Sequence, residues 1–193
     1  MKPSIIPFAF FLLSLSLFNF AIIITPFLAL SGGSAANTLH AAFSPTCHQS
    51  LSRSLCITSG GGVADCPVSE GSPYSRANSI DSDGISYYKF PVCSRDMAIY
   101  LAMLAGLLIF PLFRDIKSEE WPSKWLLVAA AIPIAIDGGT QLVGLRESSN
   151  LLRILTGAII GFALPFYILP MLNSVEVFAR EKAAEWKKEK AKK

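Results

Sequence analysis

The sequence predicts an all-α integral membrane protein with about four transmembrane helices and a long, irregular non-cytoplasmic loop between the first two. Two observations carry that prediction. Apolar residues make up 52% of the 193-residue chain and charged residues only 16%, a balance outside that of soluble domains of this length. The apolar residues are also concentrated, at residues 7–30, 98–113, 125–143 and 151–172, and about 20 helical residues cross the hydrocarbon core of a bilayer.

The first segment follows Lys2 and precedes the small residues Ser34-Ala35-Ala36, as a secretory signal would. Its apolar run is longer than the roughly 7–15 residues of a signal's core, so residues 1–30 read as a retained N-terminal helix, with cleavage as the alternative. The second segment is the shortest. It reaches spanning length if residues 93–100, which contain neither Gly nor Pro, continue the helix. The third and fourth qualify directly. Gly157 and Gly161 in the fourth form a small-x-x-x-small pattern that lets another helix approach closely.

Basic residues set the orientation. Arg114, Lys117 and Lys124 crowd the connection between the second and third segments. The tail, residues 173–193, carries Arg180, Lys182, Lys187, Lys188, Lys190, Lys192 and Lys193 against Glu176, Glu181, Glu185 and Glu189, a balance of +3 that equals the charge of the whole chain. Both termini are therefore expected in the cytoplasm of a multi-pass cell-membrane protein, with residues 31–92 outside. Alternating charges around Trp186 suggest a tail helix lying on or leaving the inner leaflet, or an ordinary solvated terminus. No concentrated basic surface with base-contacting groups exists, so nucleic acid is not an expected partner.

The outer loop is rich in Ser and Gly, notably at residues 59–62 and 69–75, and such composition makes few regular elements. It holds all four cysteines, Cys47, Cys56, Cys66 and Cys93, an even number on the non-cytoplasmic side. Of the three possible pairings, Cys56 with Cys66 and Cys47 with Cys93 would staple the loop best. The competing reading is a zinc site made by Cys47, His48, Cys93 and Asp96, the last two one helical turn apart. Adjacent Cys47 and His48 do not easily point the same way, and a third possibility is a reduced or redox-cycling thiol pair. His48 also reads as an ordinary hydrogen-bonded residue, and Asp96 as a first-turn acid with Ser94 as N-cap. Asp81-Ser82-Asp83-Gly84 opens like a calcium loop but lacks the glycine position and terminal Glu that such a loop needs.

The third segment is interrupted by Asp137, Thr140 and Gln141, spaced to share a helical face. An intramembrane carboxylate costs about 2.5–3.5 kcal/mol on insertion scales and is usually paired or faces a cavity. Asp137 lies about 18 Å along the helix from Trp125, on the side of Cys47 and Cys93. It reads either as half of a buried ion pair with Arg95, Arg146 or Arg153, or as a proton acceptor. In the second case Arg53, Arg95, Gln141, Arg146 and Arg153 would bind a lipid headgroup or other anion. Candidate catalytic groups are thus His48, Asp96 and Asp137.

The ordered set Cys47-His48-Gln49, Arg53-Ser54, Pro91-Val92-Cys93-Ser94-Arg95, Ile136-Asp137-Gly138-Gly139-Thr140-Gln141, Gly144-Leu145-Arg146-Glu147-Ser148, Leu152-Arg153 and Thr156-Gly157 resembles the predicted membrane proteins called domain of unknown function 2085. The resemblance implies a small prokaryotic integral membrane protein. That family often has a second cysteine after the Cys-x-Arg element, where this chain has Asp96, and its loop before Pro91 is shorter; Cys56 and Cys66 fall near or within the extra length.

The domain plan is an N-terminal span, 1–30; the outer loop, 31–92; a three-helix membrane core, 93–172; and the tail, 173–193. The functional expectation is a structural or accessory subunit of a membrane assembly, in contact with the bilayer and with membrane-protein partners or further copies of itself. The alternative is a metal- or thiol-dependent membrane enzyme or a lipid-headgroup-handling protein. Transport ranks last, because four spans are few and the ionisable groups cluster on one side.

Overall fold

The computed structural model describes residues 2–68 and 78–191. The Ser-rich stretch 69–75, with Arg76, and the tail residues Lys192 and Lys193 lie outside the described residues. Four helices are long and apolar enough to cross a membrane, as the composition predicts. The first is α1, Ile6–Leu30, which starts with Pro7 in its first turn and ends at Gly32, φ +75°. There the amide of Gly33 bonds the Leu28 carbonyl and that of Gly32 bonds Ala29, the paired closure that a left-handed residue after a helix permits. A short helix, α2 (Ala35–Phe43), follows.

Residues 51–89 depart from the expected irregular loop, and so from a purely all-α chain. Leu51–Arg53 makes one 3-10 turn, followed by β1 (Leu55–Thr58), β2 (Val63–Asp65), β3 (Ser79–Ser82) and β4 (Ile85–Lys89). They form an antiparallel sheet of order β2-β1-β4-β3. The Ser/Gly run at residues 59–62 forms the turn between β1 and β2. The strands Leu-Cys-Ile-Thr and Ile-Ser-Tyr-Tyr-Lys are the β-branched and aromatic runs that suit a pleated, half-buried surface. Asp83 and Gly84, both at positive φ, make the two-residue hairpin between β3 and β4, with Ser82 opposite Ile85. This turn is what the calcium-like tetrapeptide builds. The expected Cys56–Cys66 disulfide is present, joining β1 to the residue after β2, and it packs with Leu51.

The second span is α3, Ser94–Phe113, which begins early as the second segment required. Its N-cap is Cys93, in extended conformation, and not Ser94; Asp96 sits in the first turn as expected. The third is α4, Lys124–Leu142, closed by Gly144 at φ +73° with Leu145 bonding the Thr140 carbonyl. The fourth crossing comprises α5, Asn150–Ala163, capped by the Ser149 hydroxyl, and α6, Pro165–Ala191. Pro165 stands in the first turn of α6, where a missing N–H costs little. The charged tail is therefore a continuation of the fourth crossing and not a separate helix.

The bundle is organised by α3 against α5. A Cβ at Gly157 would lie 2.7 Å from the Arg95 carbonyl oxygen, one at Gly161 would run into the Ile99 carbonyl, and one at Gly106 would lie 2.6 Å from the Phe162 carbonyl. The small-x-x-x-small pattern is thus consumed inside the chain. Leu15 of α1 joins Met103, Leu107, Phe110 and Leu169 in one apolar core. A second core seats the sheet on the bundle: Ile22 of α1 and Phe43 of α2 meet Leu55, Ile57, Phe90 and Val92, with Phe18, Met97 and Tyr100 at its edge.

Two consequences follow. Gly161→Ala forces α3 and α5 apart and should cost about 3 kcal/mol, at the upper end for overpacking, whereas Gly139→Ala, with no atom within 4 Å of the new methyl, should leave stability unchanged or raise it by up to about 1 kcal/mol; thermal unfolding of the detergent-solubilised protein compares them. His40 is buried against the sheet end, and burial first, then the nearby Lys89 ammonium, lowers its pKa from 6.5 to about 4. The unfolded chain takes up the proton first, so stability is full above about pH 6.5 and falls as pH drops towards 4, by up to about 3 kcal/mol. A melting-temperature profile over that range should flatten in His40→Gln.

Candidate functional site

At the sheet end of the bundle, five pieces of chain enclose a pocket of about 240 Å³. The segment after α2 contributes Cys47, His48 and Gln49, and the 3-10 turn contributes Arg53. The start of α3 supplies Cys93, Arg95 and Asp96, while α4 supplies Gln141 and α5 supplies Arg153. Eight of the residues singled out in the sequence meet here. Cys56 and Cys66 do not, being spent in the disulfide.

The Cys-His-Gln segment is held by its glutamine. Gln49 has φ +56° and is buried; its side-chain amide donates to the His40 carbonyl at 2.6 Å and to the Pro91 carbonyl at 2.9 Å. The Lys89 ammonium donates to the Gln49 carbonyl at 2.6 Å. These bonds tie the segment to the chain entering α3, so the two cysteines face each other. Backbone amides of Cys93, at 3.1 Å, and Gln49, at 3.4 Å, donate to Cys47 Sγ. Cys93 Sγ donates to Asp96 Oδ2 at 3.0 Å.

The resulting thiols are unequal. The Cys93 thiol beside Cys47, together with those amide donors, holds the Cys47 pKa below its ordinary value despite burial. Cys93 is pushed strongly up, first by the neighbouring Cys47 sulfur, then by burial and by the nearby Asp96 carboxylate. Cys47 is the group that ionises first. The Cys47–Cys93 bridge favoured from sequence is not formed: both are free thiols. Nor does His48 join them. Among the described residues, the cluster of close ligand atoms is Cys47, Cys93 and Asp96, all within 4.8 Å of one another, while His48 is exposed at the pocket wall.

Behind the pocket Asp137 is fully buried and doubly paired, to Arg95 at 2.5 Å and to Arg146 at 2.9 Å. It belongs to α4, whereas Arg95 belongs to α3 and Arg146 to the connection before α5, so one carboxylate joins three pieces of chain. Arg146 Nε also donates to the Thr140 hydroxyl at 3.1 Å. Arg153 is not a partner of Asp137. Its guanidinium donates to the Ser52 carbonyl and to Asn150 Oδ1, both at 3.1 Å, and approaches Glu147 at 3.7 Å. Gln141 donates to Glu147 at 3.0 Å.

Sequence reasoning passed over Asn150, the hub between bundle and sheet. It accepts from Ser94 at 2.7 Å and donates to the Asp65 carboxylate at 2.8 Å and the Ser54 carbonyl at 3.3 Å. It also passed over Asn19 and Asn173, which donate to carbonyls of Tyr100 and of Ile116 and Ser118. The available signal was a lone carboxamide in or beside an apolar helix, which must find a partner when water is excluded.

The model of the family described as predicted membrane protein (DUF2085) matches residues 82–167, from β3 through α6's first turn. An uncharacterized protein of Methanocaldococcus jannaschii is 34% identical over 166 residues, 83% of this chain and 88% of that protein. An uncharacterized protein of Methanothermobacter thermautotrophicus is 42% identical over 77 residues, 39% of this chain and 66% of its own length. No solved structure matches. The first relative is matched over most of both chains, and this chain belongs to the DUF2085 family of predicted membrane proteins.

Proposed function

We propose that this protein is a non-catalytic accessory subunit of a membrane assembly, with its sheet on the non-cytoplasmic side and both termini in the cytoplasm. The observation that carries the reading is α4. Among its residues only Asp137 is buried. Its outward face, with Val128, Ile132, Ala135 and Ile136 at helical spacing, is uncovered. At the end away from the sheet α4 leaves a cleft of about 560 Å³ beside Phe113, Leu126, Phe162 and Phe166. A span held by one ion cluster and one neighbouring helix has a free flank for a partner helix, and Ala135 keeps that flank shallow. Gly157 and Gly161 do not serve here, because α3 fills them.

The ionisable groups support a structural role for the polar centre. Asp137 pairs with both Arg95 and Arg146, and Arg153 is bonded to backbone and Asn150. Such groups hold helices in register without turning over a substrate. Orientation is supported by the grouping of Arg114, Lys117 and Lys124 with the charged tail. Asn173 of α6 bonds the α3–α4 connection, and the Ser4 amide bonds Glu176 at 2.8 Å, so the N-terminus, that connection and α6 share one end. On this reading residues 31–92 form the outer module, 93–172 the membrane core and 173–193 the cytoplasmic end.

Native gels of gently solubilised membranes should show the protein in a complex larger than its monomer, and Ala135→Trp should release a folded monomer. A wild-type chain that is monomeric there, and that gives no protein cross-link from a photoreactive residue at Ile132, would count against the assignment. Asp137→Asn leaves two guanidiniums without their acceptor and should cost about 3–5 kcal/mol, read as lost abundance and lower thermal stability. If that variant keeps wild-type abundance and assembly yet abolishes a cellular phenotype, Asp137 has a chemical role instead.

A further inference from the structure

Independently of that reading, we propose that Cys47, Cys93 and Asp96 form a binding site for a thiophilic divalent cation of the zinc class, with three protein ligands and a fourth position open to the pocket. The three ligand atoms lie within 4.8 Å of one another. Tetrahedral zinc with sulfur at 2.3 Å spaces its ligand atoms about 3.8 Å apart, so small side-chain rotations close the set.

The backbone is arranged for a thiolate. The amides of Cys93 and Gln49 both aim at Cys47 Sγ, and a charged sulfur is the stronger acceptor for such donors. Cys93 Sγ already shares a proton with Asp96 Oδ2 at 3.0 Å; replacing that proton by a cation keeps the bridge between the same two atoms. Cys93 and Asp96 are one helical turn apart at the start of α3, and Cys47 is fixed opposite them by the bonds of Gln49. The ligand positions are thus set by structure that exists without the ion.

Charge also balances. Binding a divalent ion while two thiols lose their protons, which pass to solvent, leaves the summed charge of the site unchanged. That matters because Arg53, Arg95 and Arg153 stand around the same pocket and would repel a cation held by neutral ligands alone. The arrangement selects for ligands that ionise on binding, hence for a soft or borderline metal over calcium or magnesium. His48, on the rim, and solvent are the candidates for the fourth position.

The test is titration of the purified full-length protein, in detergent under anaerobic conditions without added thiol, with cobalt(II) as the spectroscopic probe and zinc as competitor. The expected result is one equivalent of cobalt bound with a sulfur-to-metal charge-transfer band, displaced by zinc. Cys47→Ser and Cys93→Ser should each lose tight binding, and Asp96→Asn should weaken it while keeping the band. Helical content and the Cys56–Cys66 disulfide should be retained in all three, which separates a lost ligand from a lost fold. Absence of a thiolate band in the wild type overturns the site, as does recovery of Cys47 and Cys93 as a disulfide from membranes alkylated before lysis. Because the readout is binding to a single chain, its failure leaves the accessory-subunit reading standing, and failure of that reading leaves the site standing.

Discussion

The close approach of α3 to α5 is the constraint on which the remainder of the molecule depends. A helix interface inside a bilayer gains nothing from expelling water, so it forms where backbones can come close enough for dispersion and carbonyl contacts. Gly157 and Gly161 remove the side chains that would hold α3 off, and Gly106 does the same from the α3 side. One geometric result is local. With Gly157 against the Arg95 carbonyl, the first turn of α3 and the first turn of α5 lie side by side, and Ser94 reaches Asn150 at 2.7 Å. The pocket of cysteines and arginines is therefore a by-product of where two helices can touch.

The sheet module rests on that junction through polar bonds as much as through its apolar core. Asn150 holds the Ser54 carbonyl and Asp65; Arg153 holds the Ser52 carbonyl; Gln49 and Lys89 tie the segment after α2 to the strand leading into α3. Most of these side chains answer backbone carbonyls, those of Gln49, Ser52, Ser54 and Pro91 among them. Small modules bury too little apolar surface to hold a single conformation unaided, and here a disulfide and buried side-chain donors make up the difference.

This division explains what could be read from sequence. The four spans were legible because composition and length alone decide them, and the Cys56–Cys66 staple because it closes a short segment. The sheet was not, since the Ser/Gly content of residues 59–62 masked a four-residue strand before it and a three-residue strand after it. Gly157 and Gly161 announced close packing, but a period in one helix does not name its partner. Asp137 was legible as paired, and two of its three candidate arginines are the partners. Its third, Arg153, was lost to the Ser52 carbonyl of a 3-10 turn that no periodicity marks. His48 was grouped with Cys47 by adjacency, and adjacency in sequence does not place a side chain in the cluster of Cys47, Cys93 and Asp96.

The ion cluster and the thiol pocket are mechanically connected. Arg95 is the shared member: its guanidinium holds Asp137 of α4 while its stem and backbone lie against Gly157 of α5. The apolar contacts of α4 are few, so the cluster fixes where α4 stands, and with it the position of Gln141 on the pocket wall. A helix pressing on the free flank of α4 would act on Asp137 first, then on Arg95, and only through Arg95 on the turn that carries Cys93 and Asp96. The proposed partner face and the thiol pocket are thus joined through a single buried carboxylate.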